Sequence, residues 1–363
     1  MFADPVIVTH ALGSYPVYVE AGALARLDEL VGEHLPGRRV AMIADAAVHE
    51  LYLSGRMGAA PWNGEAITFA SGEKSKTRDA WARLTDLLME RGYGRDAGVI
   101  ALGGGVTGDL AGFVAATYMR GVPYLQVPTT LLAMLDASVG GKTGVDTPQG
   151  KNLVGAFHPP VAVIADPQTL ATLSDRDYRA GLAEAVKHGL IADRAYFEWM
   201  EVNAPALTSR AVDPLTRLIR RSVEIKAEVV SGDEREAGRR AILNAGHTVA
   251  HALELVSGYV VPHGEAVALG LVVECELAEQ LGVASAGLRK RVEALLGRLG
   301  LPARLPPRLE RSALVHSMTA DKKNRSRQIR FALPRQLGEM HKDDGWTTPV
   351  PAEAIRAALA AME

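Results

Sequence analysis

The sequence predicts an α/β domain on a mostly parallel sheet, residues 1–166, followed by a mainly helical all-α domain, residues 167–363. Three observations lead there. Short apolar runs alternate with helical patterns in the first half, as βαβ units require. One of those runs opens into glycines and then a helix, ALGGGVTGDLAGFVAA at 101–116. After Asp166 strand signals nearly vanish, and long helical stretches follow until IRFALP at 329–334.

The elements follow in order. VAMIAD (40–45) reads as a buried parallel strand, with a helix from Ala46 to Tyr52. EAITFASGE (65–73) is a second strand, and TRDAWARLTDLLMERG (77–92) an amphipathic helix closed by Gly92. AGVIALGGG (97–105) is a third strand, and VPYLQVPTTLLAML (122–135) and PVAVIAD (160–166) supply two more. Beyond them DYRAGLAEAVKHGLI, PLTRLIRRSVEIKAEVV, AILNAGHTVAHALELV and GEAVALGLVVECELAEQLG read as helices. A cleft between two such domains is a common place for a ligand.

Composition narrows the function. The 363 residues are 48% apolar and 23% charged, an ordinary globular balance. Lys plus Arg total 40 against 42 Asp plus Glu, so no basic excess exists to hold nucleic acid. An anion must therefore be held by a local cluster. The one cysteine, Cys275, reads as a buried helix residue and forms neither an internal disulfide nor a thiolate metal site. MFADPVIVTH lacks the pattern of a signal peptide, and no apolar run approaches the ~20 residues of a membrane span. A cytoplasmic protein with no membrane partner is expected.

The glycines at 103–105 would let the backbone approach a pyrophosphate, and the following helix N-terminus favours an anion. The pattern is not GxGxxG, and a tight strand-to-helix turn is the plainer reading; the strand context and Asp109 favour the nucleotide. Asp45, at the end of a strand, is placed to bond a ribose, although an acid there also serves as a helix cap.

RRAILNAGHTVAHALE carries Arg240, Asn244, His247 and His251 at steps of four, three and four, which would share one helical face. Polar residues repeated on an otherwise apolar face need partners there. His263 opens PHGEAVALG, and GLAEAVKHG adds Glu184, Lys187 and His188. Two histidines and one carboxylate from separate helices would make a three-ligand metal site with an open position. Spacing leaves open which histidines coordinate. Lys142 in SVGGKTGVD, Lys151 and Asn152 in GKNLVG, and Lys322, Lys323 and Asn324 in DKKN read as loop residues suited to phosphate or carboxylate. Lys226 alone reads as a helix-surface lysine.

Together, SGEKSK (71–76), the long run 103–146, GKNLVGAFHPP, AEAVKHG, LNAGHTVAHALE and HGEAVALG resemble the 3-dehydroquinate synthase family over roughly residues 40–340. The resemblance implies a Rossmann-like NAD-binding domain and a helical metal domain holding Zn²⁺ or Co²⁺ through Glu184, His247 and His263. His251 would then be an active-site residue rather than a ligand. It further implies NAD contacts from Asp45, the 71–76 turn (Ser71, Gly72, Glu73, Lys74, Ser75, Lys76), and the glycine turn with Gly104, Gly105, Val106, Thr107, Gly108 and Asp109. Thr129, Thr130, Lys142, Lys151 and the loop Thr169, Leu170, Ala171 and Thr172 complete that set. Substrate phosphate would meet Lys142, Asn152, Asn244 and Lys322 or Lys323. Lys226 and Arg240 would face a carboxylate, Asp136, Lys151 and Lys187 would line the site, and Arg120 would reach a neighbouring subunit, which implies a homodimer.

The implied reaction turns a phosphorylated seven-carbon keto acid, 3-deoxy-D-arabino-heptulosonate 7-phosphate, into 3-dehydroquinate and phosphate. Transient oxidation by NAD, phosphate β-elimination, reduction and an intramolecular aldol step follow one another. Departures from the family pattern are Ala245 for an aromatic, Ala250 for glycine and Ser326 for glycine; none is a proposed ligand. A glycerol-dehydrogenase-type oxidoreductase would not need Lys142, Lys151, Asn152, Lys226 and Arg240 together. Sister cyclases whose substrates lack the carboxylate would be expected to differ at Lys226 and Arg240, whereas the aminated analogue of the reaction keeps the carboxylate. A non-catalytic NAD sensor should have lost a ligand or a phosphate-binding lysine.

Overall fold

In the first half, alternating apolar runs assemble into a seven-stranded sheet, ordered β1-β2-β9-β6-β5-β3-β4. The computed structural model describes residues 4–11, 13–54, 64, 66–233, 238–307, 309–320, 328–343 and 345–362. Its contacts divide into two units, Met1–Leu173 and Ser174–Glu363.

The first unit runs β1 (Val6–His10), β2 (Gly13–Val19), α1 (Leu27–His34), β3 (Arg39–Asp45), α2 (Ala46–Tyr52), β4 (Ala66–Phe69), α3 (Arg78–Glu90), β5 (Ala97–Gly103), α4 (Gly105–Thr117), β6 (Tyr124–Pro128), β7 (Lys142–Thr147), β8 (Gly150–Phe157) and β9 (Ala162–Ala165). Within the sheet only β1 and β2 pair antiparallel; the other pairings are parallel. Every residue of β5 is buried, as a central strand covered on both faces must be. Ala41, Ile43, Val99 and Ala101 meet Leu84, Leu88, Leu110 and Val114 of α3 and α4 on one face. Met42, Ala44, Ile100 and Leu102 meet Leu24, Leu27, Leu30 and Tyr52 on the other. The α/β reading is borne out.

Three details differ from the sequence reading. The strand expected over 65–73 stops at Phe69, because Gly72 turns with φ 97° into the 3-10 turn Glu73–Ser75. The stretch 122–135 is a strand only to Pro128; Thr130 Oγ1 then accepts from Ala133 N and opens a helical turn. Lys142, Lys151 and Asn152 are not on loops but on the antiparallel hairpin β7–β8. The hairpin closes tightly at Gly155, where a Cβ would lie 2.1 Å from the Thr143 carbonyl oxygen.

A 3-10 turn, Pro167–Thr172, ends this unit. Asp166 caps it through Gln168 N and also accepts from Gly22 N and Leu24 N, so the turn is tied to the sheet side of the division.

The second unit comprises α5 (Asp175–Ala192), α6 (Arg194–Thr208), α7 (Val212–Ser231), α8 (His247–Val256), α9 (His263–Gln280), α10 (Leu288–Arg298), α11 (Arg311–Ala320) and α12 (Ala352–Ala360). Two short ribbons join them, β10 (Arg330–Phe331) with β13 (Thr348–Pro349) and β11 (Pro334–Gln336) with β12 (Glu339–Met340). Helices α5 and α9 are buried almost all round, so they form the centre of this unit. They approach closely at Gly264, where a Cβ would lie 2.3 Å from the Ala180 Cα. That contact brings Glu184, one turn beyond Ala180, beside His263.

The helix expected over 241–256 is broken. Arg239–Asn244 form a 3-10 turn, Gly246 takes the left-handed conformation (φ 80°), and α8 begins at His247. Arg240 and Asn244 therefore do not share a helical face with His247 and His251.

Candidate active site

Three side chains converge within the helical unit. Glu184 projects from α5, His247 from the first turn of α8 and His263 from the first turn of α9, with one ligand atom of each within 4.8 Å of the others. Both imidazole Nε2 atoms face the same carboxylate oxygen, Glu184 Oε1, at 3.7 Å from His247 and 3.5 Å from His263. The other oxygen, Oε2, pairs with Lys187. The carboxylate is thus divided, one oxygen for the ammonium and one for the two rings.

Each ring is oriented through its far nitrogen. His247 Nδ1 lies 3.1 Å from the Ala245 carbonyl oxygen, and His263 Nδ1 lies 3.4 Å from Glu254 Oε2. Bonds of this kind fix which nitrogen is presented to a ligand. Burial and then the Lys187 charge push His247 down to about 3, so its ring is neutral. His263 loses by burial but gains more from Glu184 and Glu254, and is pushed up to about 9. Two imidazole nitrogens and a carboxylate oxygen suit Zn²⁺ or Co²⁺, so the residues fit such an ion.

The surrounding cations are less exposed than the sequence suggested. Lys226 on α7 is 6% exposed and Arg240 is 2% exposed, so the surface reading of Lys226 is overturned. Its helix turns that position inward with Ser222, Val223 and Val230. Helix α7 packs on α5 and on the turn carrying Arg240 and Asn244, and α5 packs on that turn and on α9. His251 is exposed, its ring edge-on to His247 with centroids 5.6 Å apart. His188 is fully buried.

In the sheet unit, the turn from β5 into α4 presents Gly104 as an N-cap with no side-chain hydrogen bond, followed by Gly105, Val106, Thr107 and Gly108. A Cβ at Gly104 would lie 2.9 Å from Thr130 Cγ2, and Thr129 N donates to the Gly103 carbonyl. Beside this turn Lys76 Nζ lies 3.1 Å from Glu73, 3.2 Å from Asp109 and 3.6 Å from Asp146. Lys151 also reaches Glu73, at 3.7 Å. Burial pushes Asp109 up to about 6, with Lys76 opposing it.

Asp45 caps α2 through Ala47 N and Val48 N and accepts from Ser71 Oγ at 2.5 Å. Lys74 lies in the exposed turn beside Ser75. Lys142 pairs across the hairpin with Phe157, whereas Asn152 (φ 54°) lies five residues back along β8, its amide on Asp146. Thr169 and Leu170 are buried, Ala171 and Thr172 exposed; Tyr52 Oη donates to Thr169 O. Asp136 sits in the π-helical turn Ala133–Ala137, and Arg120 is exposed at a left-handed turn. Lys322, Lys323, Asn324 and Ser326 lie outside the described residues.

Two carboxylates of this neighbourhood were not singled out in the sequence. Glu254 lies seven residues after His247, two turns along the same face. Glu274 follows the apolar run 266–273 of α9 and is buried, and its Oε2 accepts from Gly246 N at 2.7 Å.

The fold is shared by two solved sugar-phosphate cyclases. The chain matches 2-deoxy-scyllo-inosose synthase complexed with carbaglucose-6-phosphate, NAD⁺ and Co²⁺ at a TM-score of 0.89 and 25% identity, over 99% of this chain and 100% of that one. It matches 2-epi-5-epi-valiolone synthase from Streptomyces hygroscopicus subsp. jinggangensis 5008, with NAD⁺ and Zn²⁺ bound, at a TM-score of 0.84 and 28% identity, over 98% and 99%. Residues 66–180 match the family model for the 3-dehydroquinate synthase N-terminal region, and residues 181–324 that for the C-terminal region. A 3-dehydroquinate synthase of Halorhodospira halophila is 47% identical over 90% of this chain and 91% of its own length. The chain belongs to the 3-dehydroquinate synthase family.

Proposed function

We propose that the chain is a lyase that converts 3-deoxy-D-arabino-heptulosonate 7-phosphate to 3-dehydroquinate and phosphate, in the shikimate pathway of aromatic biosynthesis. The observation that carries this is the convergence of Glu184, His247 and His263 in a unit that also buries Lys226 and Arg240. A metal group alone would serve an alcohol dehydrogenase. Two cations buried in the same unit suit a substrate with a carboxylate.

Glu184, His247 and His263 would hold Zn²⁺ or Co²⁺, which when bound polarises a substrate oxygen and lowers the pKa of its alcohol. NAD⁺ in the Met1–Leu173 unit would supply a hydride acceptor that is restored within each turnover. The chain's own residues do the remaining work. The Ala245 carbonyl holds the neutral His247 ring with Nε2 toward Glu184, and Glu254 does the same for His263. Lys187 occupies Glu184 Oε2 and so directs Oε1 to the metal position. Lys226 and Arg240, withdrawn from water, bind the substrate carboxylate more strongly than exposed cations would. His251, exposed beside His247, can hold or release a proton during ring opening and closure. The departing phosphate can itself accept the proton lost from the adjacent carbon, so no further base is required.

Phosphate contacts are assigned to Lys142, Asn152, Asn244 and one of Lys322 and Lys323, with Asp136, Lys151 and Lys187 as polar lining. NAD contacts are assigned to Asp45, the 71–76 turn, the glycine turn through Asp109, Thr129, Thr130, Lys142, Lys151 and the 169–172 loop. The uncapped amides at Gly104 support the pyrophosphate position. A homodimer with Arg120 crossing to the partner is part of the proposal. Strand β8 supports it, since Leu153, Val154 and Phe157 are exposed along one strand of a two-stranded ribbon. No helix among the described residues is long and apolar enough to cross a membrane, and a cytoplasmic location is proposed.

The test is incubation of the purified protein with the heptulosonate phosphate and catalytic NAD⁺, with the product identified by NMR. Equimolar phosphate and 3-dehydroquinate support the assignment. A different carbocycle from another sugar phosphate would place the chain with the sister cyclases instead.

A further inference from the structure

We propose that Glu274 is a positioning residue for the metal group, fixing the His247 imidazole through the single peptide unit that joins Ala245 to Gly246. The inference rests on the reading of His247 as a metal ligand. The two bonds share one peptide: its N–H, on Gly246, donates to Glu274 Oε2 at 2.7 Å, and its carbonyl, on Ala245, lies 3.1 Å from His247 Nδ1. A hydrogen bond given by a peptide N–H polarises the carbonyl of the same unit and strengthens what that carbonyl accepts. Carboxyl, peptide and imidazole therefore form one chain, ending at the Nε2 that faces Glu184.

Gly246 itself is clamped by α9 over two turns. The Gly246 position leaves a Cβ only 3.0 Å from the Val267 carbonyl oxygen, and a Cβ at Gly270 would lie 1.9 Å from the Gly246 carbonyl oxygen. Val267, Gly270 and Glu274 are spaced three and four residues apart, one face of the helix. Gly246 caps α8 in the left-handed conformation with no side-chain cap, and Glu274 of α9 gives its N–H a side-chain acceptor.

Packing gives no reason for an acid here. Glu274 is 1% exposed, and its second oxygen, Oε1, is buried with no hydrogen-bond partner among the described residues. Burying a carboxyl is costly unless its bonds compensate, and a leucine would fill the space at less cost. Burial also pushes the carboxyl well above its usual range, so the acceptor is that of a neutral acid, which an amide can reproduce.

The experiment compares chelator-stripped wild type, Glu274→Gln, Glu274→Leu and Glu274→Met by Co²⁺ titration against a competing chelator. Affinity, the visible Co²⁺ absorption and the melting temperature are recorded for each. Gln should match wild type within about twofold, while Leu and Met should bind Co²⁺ about 10–100-fold more weakly with an altered absorption band, as loss of an outer partner to a ligating histidine does. Their unfolding should stay cooperative, so the altered absorption band and its rescue in Glu274→Gln, which a merely structural role would not produce, decide the result. Leu and Met variants with wild-type affinity and spectrum overturn the proposal. If they do not fold, Glu274→Asp, whose acceptor is drawn back by one methylene, takes their place with the same two outcomes. Nitrogen-15 NMR of metal-free wild type gives an independent check: His247 protonated on Nδ1 is expected, and protonation on Nε2 overturns the chain of bonds. A wild type that binds no stoichiometric Co²⁺ would instead sink the metal reading itself.

Discussion

Two buried lysines, each paired with a glutamate three residues before it, serve different ends. In the helical unit Lys187 meets one oxygen of Glu184, and the other oxygen faces two imidazoles. In the sheet unit Lys76 meets Glu73, Asp109 and Asp146 together. The first cluster sets the Glu184 carboxylate between one ammonium and two imidazoles, a donor set that suits a divalent cation. The second has its acids gathered around an ammonium already in place. It acts as a clamp joining the 73–76 turn to α4 and to the hairpin, where Asp146 N also donates to Lys76 O. Similar local pairs thus yield a metal group in one place and, in the other, a brace that holds the turns proposed to contact NAD, and what differs is whether histidines or further acids complete the shell.

The sharpest way to break this contrast is to remove a donor from the first cluster. His263→Ala should abolish stoichiometric metal and reduce phosphate release by on the order of 10³-fold or more, since the metal carries several kcal/mol of transition-state stabilisation. Metal analysis and turnover on the same sample check it, and a variant that keeps a full equivalent of metal would remove His263 from the ligand set. Next in size, Arg240→Ala or Lys226→Ala should weaken substrate binding roughly 30-fold or more, the scale for losing one partner of a buried charge pair, with NAD affinity within about twofold. Equal loss of both ligands in calorimetric titrations would contradict the carboxylate assignment.

The second cluster makes a prediction of opposite kind, in stability rather than in ligand binding. Asp109 has a folded value near 6, above the ordinary 3.8. Between those values the folded state holds a proton that the unfolded chain has released, so this group's contribution to stability falls as pH rises from about 4 to 6. Its loss over that window should be about 1–3 kcal/mol and should vanish in Asp109→Asn, as read by urea unfolding at a series of pH values. Identical pH profiles for the two proteins would show that Asp109 ionises normally. The smallest effect concerns assembly: Phe157→Glu should shift the chain toward monomer in sedimentation without changing the fold, and an unaltered sedimentation profile would move the dimer face away from β8.

What was legible from residues follows the same division. Strands β3 and β5 and helices α3, α5 and α9 could be read because each carries an uninterrupted period of apolar residues. The break at Gly246 could not, because the apolar period runs through it; the cause is a close approach of α9 at Gly270, a contact distant in sequence. Lys226 misled for a related reason: a helix face shows which residues are together, not whether another helix covers them. The β7–β8 hairpin was hidden by its glycines, which read as loop yet are what the close strand pairing demands. Glu184, His247 and His263 came from resemblance rather than from spacing, which had left the ligating histidines open. Glu254 lies one hydrogen bond behind a ligand and Glu274 two, where no short motif marks them.

The central claim is that the metal group drives a cyclase that recycles its own cofactor. Phosphate release from the heptulosonate phosphate should be followed alongside NADH absorbance in the native, chelated and Zn²⁺- or Co²⁺-restored protein. Release that disappears on chelation, returns with metal and leaves no net NADH is the predicted result. Release indifferent to chelation, or NADH accumulating in proportion to product, would contradict it.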